Sequence, residues 1–111
     1  MAAYVELELE QYASFSTSIN VEDEQGDFIN LSGYSVSSEI RKSPYSVTFY
    51  SFNTEVGDAA NGEIIISMLP EVSANINPGK YMYDTIITTG NTTTRVIEGI
   101  VEILPGITRL R

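Results

Sequence analysis

The chain contains no cysteine and no histidine. No disulfide framework can form, and a structural zinc site loses its usual ligands. The commonest pairs of catalytic nucleophile and base are missing as well. Basic residues are scarce: Arg41, Lys42, Lys80, Arg95, Arg109 and Arg111 stand against 15 acids, for a net charge of −9. Six scattered cations are a poor match for a phosphate backbone, so no nucleic-acid partner is expected. The acidity itself reads as solubility. Long apolar runs are also missing. The N-terminal MAAYVELELE has neither a basic region nor an apolar stretch of signal-peptide length, and no segment is long enough to span a bilayer as a helix. No membrane partner is expected, and synthesis in a cytoplasm is.

What the chain has is β-pattern. Residues 79–108 read as one β-hairpin, with arms at 81–88 and 94–104 and a reversal around Gly90-Asn91. In the second arm Glu98 and Glu102 are expected to face water. Parity then turns Arg95, Ile97, Gly99, Val101 and Ile103 toward a core, with Arg95 near its rim. Tyr81, Tyr83, Thr85 and Ile87 share a face of the first arm. If those two faces are one, paired residue numbers must have an even sum. A strict two-residue loop at Gly90-Asn91 gives an odd sum and sets Tyr83 opposite Glu98. A three- or five-residue loop centred on Asn91 sets Tyr83 over Gly99, where a ring covers bare backbone, and this longer loop is the expectation.

The rest of the chain alternates in the same manner. Val5, Leu7 and Leu9 face one way, and Tyr4, Glu6, Glu8 and Glu10 the other, a charged outer face that discourages edge pairing. Phe15, Thr17, Ile19 and Val21 face in against Ser14, Ser16, Ser18 and Asn20. Glu24 to Asp27 is a turn, 28–31 a short return, and 34–41 a strand with Tyr34, Val36, Ser38 and Ile40 on one face. Pro44 ends it. Residues 47–56 are extended, 57–62 a loop, and 63–69 an apolar run suited to a central strand. Residues 70–76 are the one helical turn, opened by a proline and an acid. The expectation is a single all-β domain over 1–111, an immunoglobulin-like β-sandwich of about seven or eight antiparallel strands. A small closed barrel is the second choice. Residues 1–3 and 109–111 are expected to be flexible ends unless docked.

Candidate chemistry is sparse. Glu22-Asp23-Glu24 lacks the ligand spacing of a calcium loop and reads as a solvated turn, with a weak cation site as the competing reading. Asp84 is a lone acid in an apolar arm, suited to pairing with Arg95 or capping a loop amide. Tyr81 and Tyr83 read as core packing with hydroxyls at the rim rather than as a ligand platform. The serines at 35, 37 and 38 have no visible base. No catalytic residue, cofactor or metal is assigned, and no enzymatic activity is expected.

Several segments in order carry a resemblance: Gly26, Leu31-Ser32-Gly33-Tyr34, Ser38-Glu39-Ile40-Arg41-Lys42-Ser43, Gly62-Glu63-Ile64-Ile65-Ile66-Ser67, Pro78-Gly79-Lys80-Tyr81-Met82-Tyr83-Asp84, Arg95-Val96-Ile97-Glu98-Gly99 and Pro105-Gly106-Ile107-Thr108-Arg109. Together they resemble small structural proteins of tailed phages, cyanophages especially, and the N-terminal domain of baseplate upper proteins. The resemblance spans residues 26–109. It implies a β-sandwich used for attachment within a virion, with no catalytic residues to carry over. In the baseplate relatives a further domain follows. Read as ending at Arg111, this chain is expected to be a standalone adaptor or decoration subunit of a tail, baseplate or capsid.

The expected partners are copies of itself, in a homo-oligomer, and other virion proteins. Contact would come from apolar packing and strand-edge pairing. The candidate contact residues are Tyr4, Glu6 and Glu8 on the first strand, Arg41, Lys42, Tyr45, Phe49 and Tyr50 around the loop after 41, and Arg109 and Arg111 at the end. Aromatics and arginine are enriched at interface cores. The alternative is a carbohydrate- or receptor-binding module, which needs two or more exposed aromatics on one concave face.

Overall fold

Two long strands, β8 (Gly79–Thr89) and β9 (Thr92–Leu104), form the hairpin on which the fold is built. The computed structural model describes residues 2–108. The other elements are β1 (Ala3–Tyr4), β2 (Leu7–Glu10), β3 (Phe15–Asn20), β4 (Ser35–Arg41), β5 (Tyr50–Ser51), β6 (Asn53–Val56), β7 (Glu63–Met68) and the short helix α1 (Pro70–Ser73). A 3-10 turn, Ala59–Asn61, precedes β7. The larger sheet has six strands in the order β1-β9-β8-β4-β5, with β2 also on β9. The smaller has three, β3-β7-β6. Strands β3, β7 and β6 on one side, and β4, β8 and β9 on the other, reproduce the division of an immunoglobulin-like sandwich.

Another mark of that class sits at the start of β8. The Tyr81 hydroxyl donates 2.7 Å to the carbonyl of Asn77, four residues upstream. This is the tyrosine corner of such sandwiches, in which a cysteine normally follows two residues later. Here that place holds Tyr83. Its ring meets Phe52 edge-on at 6.1 Å between centroids, and Phe52 meets Phe15 at 6.0 Å. A line of rings thus occupies the region that a disulfide braces in antibody domains.

The hairpin register corrects one expectation and keeps its result. Thr89 stands opposite Thr92, so the loop is the two residues Gly90 and Asn91, not three or five. Gly90 has φ +54°, as the first position of a tight hairpin turn demands. Yet Tyr83 does lie opposite Gly99, because the register shifts between Thr85 and Ile86. The extra residue is Val96, a β-bulge. The bulge buries both Val96 and Ile97. It also flips the parity of everything between it and the turn, so Arg95 points outward instead of toward the core.

The sandwich is not wholly antiparallel. Strands β1 and β2 run parallel to β9 in one continuous register, Tyr4 opposite Glu98 and Leu7 opposite Val101. The break between them falls where Val5 crosses Gly99. The Tyr83 hydroxyl donates 2.7 Å to the Val5 carbonyl there. A Cβ on residue 99 would run into that carbonyl and lie 3.3 Å from the Tyr83 ring. Ala3 pairs with Ile97, so of the first residues expected to be flexible unless docked, Ala3 is held in the sheet.

Residues 47–49 are not extended strand. The strand starts at Tyr50, pairs Tyr50 with Ile40, and changes sheets at Phe52, whose N–H bonds the Ser38 carbonyl at 3.0 Å. Taking β1 with β2, and β5 with β6, as single extended segments reduces the nine strands to seven. Strand β7 is central to the small sheet, with Ile64, Ile66 and Met68 buried. Helix α1 has its proline at the first turn and leads to Ile76, which is fully enclosed. Between the sheets lie Leu9, Ile40, Ile64, Ile66, Ile97, Val101 and Ile103, all at most 1% exposed. The buried polar side chains among the described residues are paired: Thr85 donates to Ser38 at 3.0 Å, Ser38 to the Asp84 carbonyl at 2.8 Å, and Ser73 to the Pro70 carbonyl at 3.2 Å.

Candidate interaction surface

The outward face of the larger sheet is assembled by cross-strand registers. Tyr4, Glu98, Asp84, Glu39 and Ser51 form one row across five strands. Ile100, Met82 and Arg41 form the next row. Carboxylates therefore line up with few cations among them. Arg95, turned outward by the bulge, takes the gap: its Nε lies 3.1 Å from Asp84 and a guanidinium nitrogen 3.6 Å from Glu98. The expected Asp84–Arg95 pair thus forms. Arg41 bonds Glu39 at 2.8 Å. These pairs are half-exposed, so each is worth less than about 1 kcal/mol. In the row beside these pairs, Met82 and Ile100 are exposed.

A shallow groove of about 580 Å³ runs over this face from Tyr4 past Met82 and Ile100 to Pro44. Of its two rings, Tyr83 is buried and Tyr4 is exposed. Two exposed aromatics on one concave face, the arrangement a sugar platform needs, are not found in this groove. The Tyr4 hydroxyl donates 3.3 Å to Glu6, and loss of solvent around the phenol, then that carboxylate, holds its pKa above the ordinary value. Tyr4 is accordingly a neutral donor at physiological pH. Beside it, Glu8, Glu102 and Lys80 form a third row.

The loop of residues 42–49 stands at the far end of the groove. It is tied down by its own polar groups. Arg41 donates 2.6 Å to the Ser46 carbonyl, and its guanidinium lies 4.8 Å over the Phe49 ring. Ser43 and Ser46 close a turn through main-chain and hydroxyl bonds of 3.1 and 3.2 Å. Lys42 sits 4.6 Å over the Tyr81 ring and donates to the Lys80 carbonyl. The apolar side chains meanwhile point out: Tyr45 is 93% exposed, Val47 90% and Phe49 46%.

The sequence-based contact residues therefore divide. Arg41, Lys42, Tyr45 and Phe49 share one corner. Tyr4, Glu6 and Glu8 lie along the opposite edge of the same face. Tyr50 does not belong to the surface set: it packs against the core, and its hydroxyl donates 3.4 Å to the Asn75 carbonyl. Arg109 and Arg111 lie outside the described residues. Sequence reasoning missed Val47, Met82 and Ile100 as exposed apolar groups. Strand parity in the first arm would have found Met82, which alternates with Tyr81 and Tyr83.

The acidic turn at 22–24 serves itself. The Asp23 carboxylate accepts the amides of Gln25 at 2.9 Å and Asp27 at 3.0 Å, capping its own loop. Among the described residues no cluster of three or more metal-ligating side chains is present, and no helix is long and apolar enough to cross a membrane.

No protein-family profile and no curated protein matches the chain. Several solved structures are similar in shape. InlP of Listeria monocytogenes is 13% identical with a TM-score of 0.47, and the match covers 92% of this chain and 27% of that one. The Lin-41 filamin domain is 17% identical with a TM-score of 0.46, covering 86% of this chain and 81% of that domain. A family 123 glycoside hydrolase from Clostridium perfringens is 14% identical with a TM-score of 0.42, covering 94% of this chain and 23% of the enzyme. The chain thus spans about a quarter of InlP and of the hydrolase. By its own sheet order and tyrosine corner, it is an all-β chain with an immunoglobulin-like sandwich fold.

Proposed function

We propose that the protein is a non-enzymatic virion structural protein, an adaptor or decoration subunit that works by packing against other virion proteins and copies of itself. The virion location rests on the sequence resemblance alone. The packing role is supported by one structural observation: the loop of residues 42–49 holds Tyr45, Val47 and Phe49 out in water while Arg41, Ser43 and Ser46 fix its backbone. An ordered loop with an apolar tip loses little entropy on docking and gains from burial, the profile of an interface anchor. The acidic face and groove beside it would set the orientation of the partner.

The test is reconstitution. Purified chain is mixed with particles lacking it, and bound protein is counted after sedimentation. Stoichiometric binding is expected for the unaltered chain, with at least about a tenfold loss for Tyr45→Ser combined with Val47→Ser, since hot-spot truncations cost upward of 2 kcal/mol. Equal binding by the double variant would sink the loop as anchor. Binding to a glycan array but not to particles would replace the reading with a receptor-binding one.

A further inference from the structure

A sandwich that does not close into a barrel must leave strand edges open, and such edges are ordinarily guarded by charge, proline, bulges or shortness. Three of the edges here are guarded. The β1–β2 edge is interrupted at Val5–Glu6 and carries Glu6, Glu8 and Glu10. Strand β5 has only two residues. Strand β6 has four, with Glu55 among them and Gly57 just beyond. The fourth edge is different. Strand β3 runs six residues, FSTSIN, with no charge, no proline and a regular register against β7. It pairs with β7 on one side, and no strand among the described residues pairs with the other.

Which main-chain groups point out follows from the ladder. The Val21 N–H bonds the Gly62 carbonyl at 2.9 Å, in line with the register that sets Ile19 opposite Ile64 and Thr17 opposite Ile66. Hydrogen-bonded pairs alternate in an antiparallel ladder. Odd-numbered residues of β3 therefore bond β7, and the amides and carbonyls of Ser16 and Ser18 point away from the sheet. Their side chains lie on the outward face, Ser16 in a neutral row with Ser67 and Asn53, and Ser18 next to Ile65 with Glu55 one strand further in. On the inward face Phe15, Thr17 and Ile19 are only half-buried, because nothing flanks them on the open side.

We infer that the open edge of β3 pairs antiparallel with β3 of a second copy about a two-fold axis through Thr17. Charge selects a second copy as the occupant. Two chains of net charge −9 repel over most of their surfaces, and this uncharged strip is where they can meet. The acids of the small sheet, Glu55 and Glu63, stand on β6 and β7 rather than on β3, and Glu8 and Glu10 belong to the larger sheet. The sequence is also self-complementary in this register. Ser16 exchanges main-chain bonds with Ser18 of the partner copy, Phe15 covers Ile19, and Thr17 faces Thr17, each an apolar or hydroxyl pair of the stabilising kind. The two small sheets become one continuous sheet. A contact made through one strand falls below the usual size of a stable interface, so the dimer is concentration-dependent, as befits a subunit whose contacts add up in an array. The inference names the copy-to-copy contact of the proposed function and rests on that reading only in expecting self-assembly. It uses the sheet opposite the loop of residues 42–49, so loop variants and β3 variants fail separately.

The absence of cysteine makes the test clean. Thr17→Cys places a thiol opposite its own copy in a non-hydrogen-bonded pair, where Cα atoms come within disulfide reach. Under mild oxidation it is expected to form a covalent dimer roughly tenfold or more faster than Glu8→Cys on the guarded edge, because pairing raises the effective thiol concentration. In parallel, light scattering of the unaltered chain is expected to show a mass rising with concentration toward that of a dimer. Ser16→Pro removes an outward N–H that β7 does not use, and is expected to keep the folded circular-dichroism spectrum and remain monomeric. Equal cross-linking of the two cysteine variants, or an unaltered chain that stays monomeric at the highest concentration reached, overturns the pairing. Faster cross-linking of Ser18→Cys than of Thr17→Cys overturns the two-fold at Thr17.

Discussion

The edge formed by β1 and β2 and the edge formed by β3 leave the sandwich on the side where the chain passes from one sheet to the other, and they are built in opposite ways. The first is acidic, broken at Val5–Glu6, and locked onto β9 by contacts that only a glycine at 99 permits. The second is neutral, unbroken, and held from one side only. The difference teaches that an exposed strand is not a single kind of object. Charge and irregularity close the first to partners, and uniform alternation leaves the second available. Both depend on the same core, which Phe52 joins by carrying the chain between sheets.

The largest expected effect comes from removing that shared support. Phe52→Ala takes away the middle ring of the Phe15–Phe52–Tyr83 line and is expected to cost about 3–5 kcal/mol in urea unfolding, loosening both edges together. Gly99→Ala separates them. The new Cβ meets the Val5 carbonyl, so a loss of about 1–3 kcal/mol is expected, with hydrogen exchange accelerated in residues 3–10 and unchanged in 15–20. Comparable acceleration in both would show that the two edges open as one unit.

Tyr83→Phe is the next smaller step. It deletes the bond to the Val5 carbonyl and is expected to cost about 0.5–1.5 kcal/mol near neutral pH. It also has a pH signature. Burial first, then the charge of Tyr4, push the Tyr83 phenol up to about 12 from its ordinary 10. The folded state therefore favours the neutral phenol. That contribution is complete below pH 10 and is lost as the pH climbs from 10 toward 12. Urea midpoints of the unaltered chain should fall across that window, and those of Tyr83→Phe should fall less. Parallel slopes would remove Tyr83 from the alkaline response.

Ser18→Glu has the smallest effect on folding and sharpens the comparison most. It gives β3 the guard that β2 already has. A surface change of this type is expected to shift stability by no more than about 0.5 kcal/mol. Light scattering should nonetheless show the mass staying at the monomer value at every concentration. Retained self-association would mean that charge is not what distinguishes the two edges.

Much of this was legible in the chain. The inward residues of β2, β3 and β4 follow from a period of two, the apolar run at 63–69 marks β7 as central, and Pro70 marks the helix. Tyr83 over Gly99 was correct, but for the wrong reason: the even sum comes from the bulge at Val96, and the loop has two residues. Alternation alone turns Arg95 inward, because it cannot reveal a bulge at which Val96 and Ile97 are both apolar and both buried. The outward turn of Arg95 then produced its pairs with Asp84 and Glu98. Tyr45 and Phe49 stand out in the sequence as an excess of aromatics in a loop. Val47 reads as part of an extended segment, because a valine after tyrosine and serine looks like strand, and only the bond from Arg41 to the Ser46 carbonyl shows the loop.

The sequence by itself determined which side of each strand is apolar, where the chain turns, and that no cysteine or histidine chemistry is available. Those properties are local, set by composition and a repeat of two residues. Only the tertiary structure decided that the first strand runs parallel to the last, that the chain changes sheets at Phe52, and that β3 keeps a free edge. These are pairings between residues far apart in the chain. Many strand orders satisfy the same alternation, and the choice among them rests on how two whole sheets close over one core.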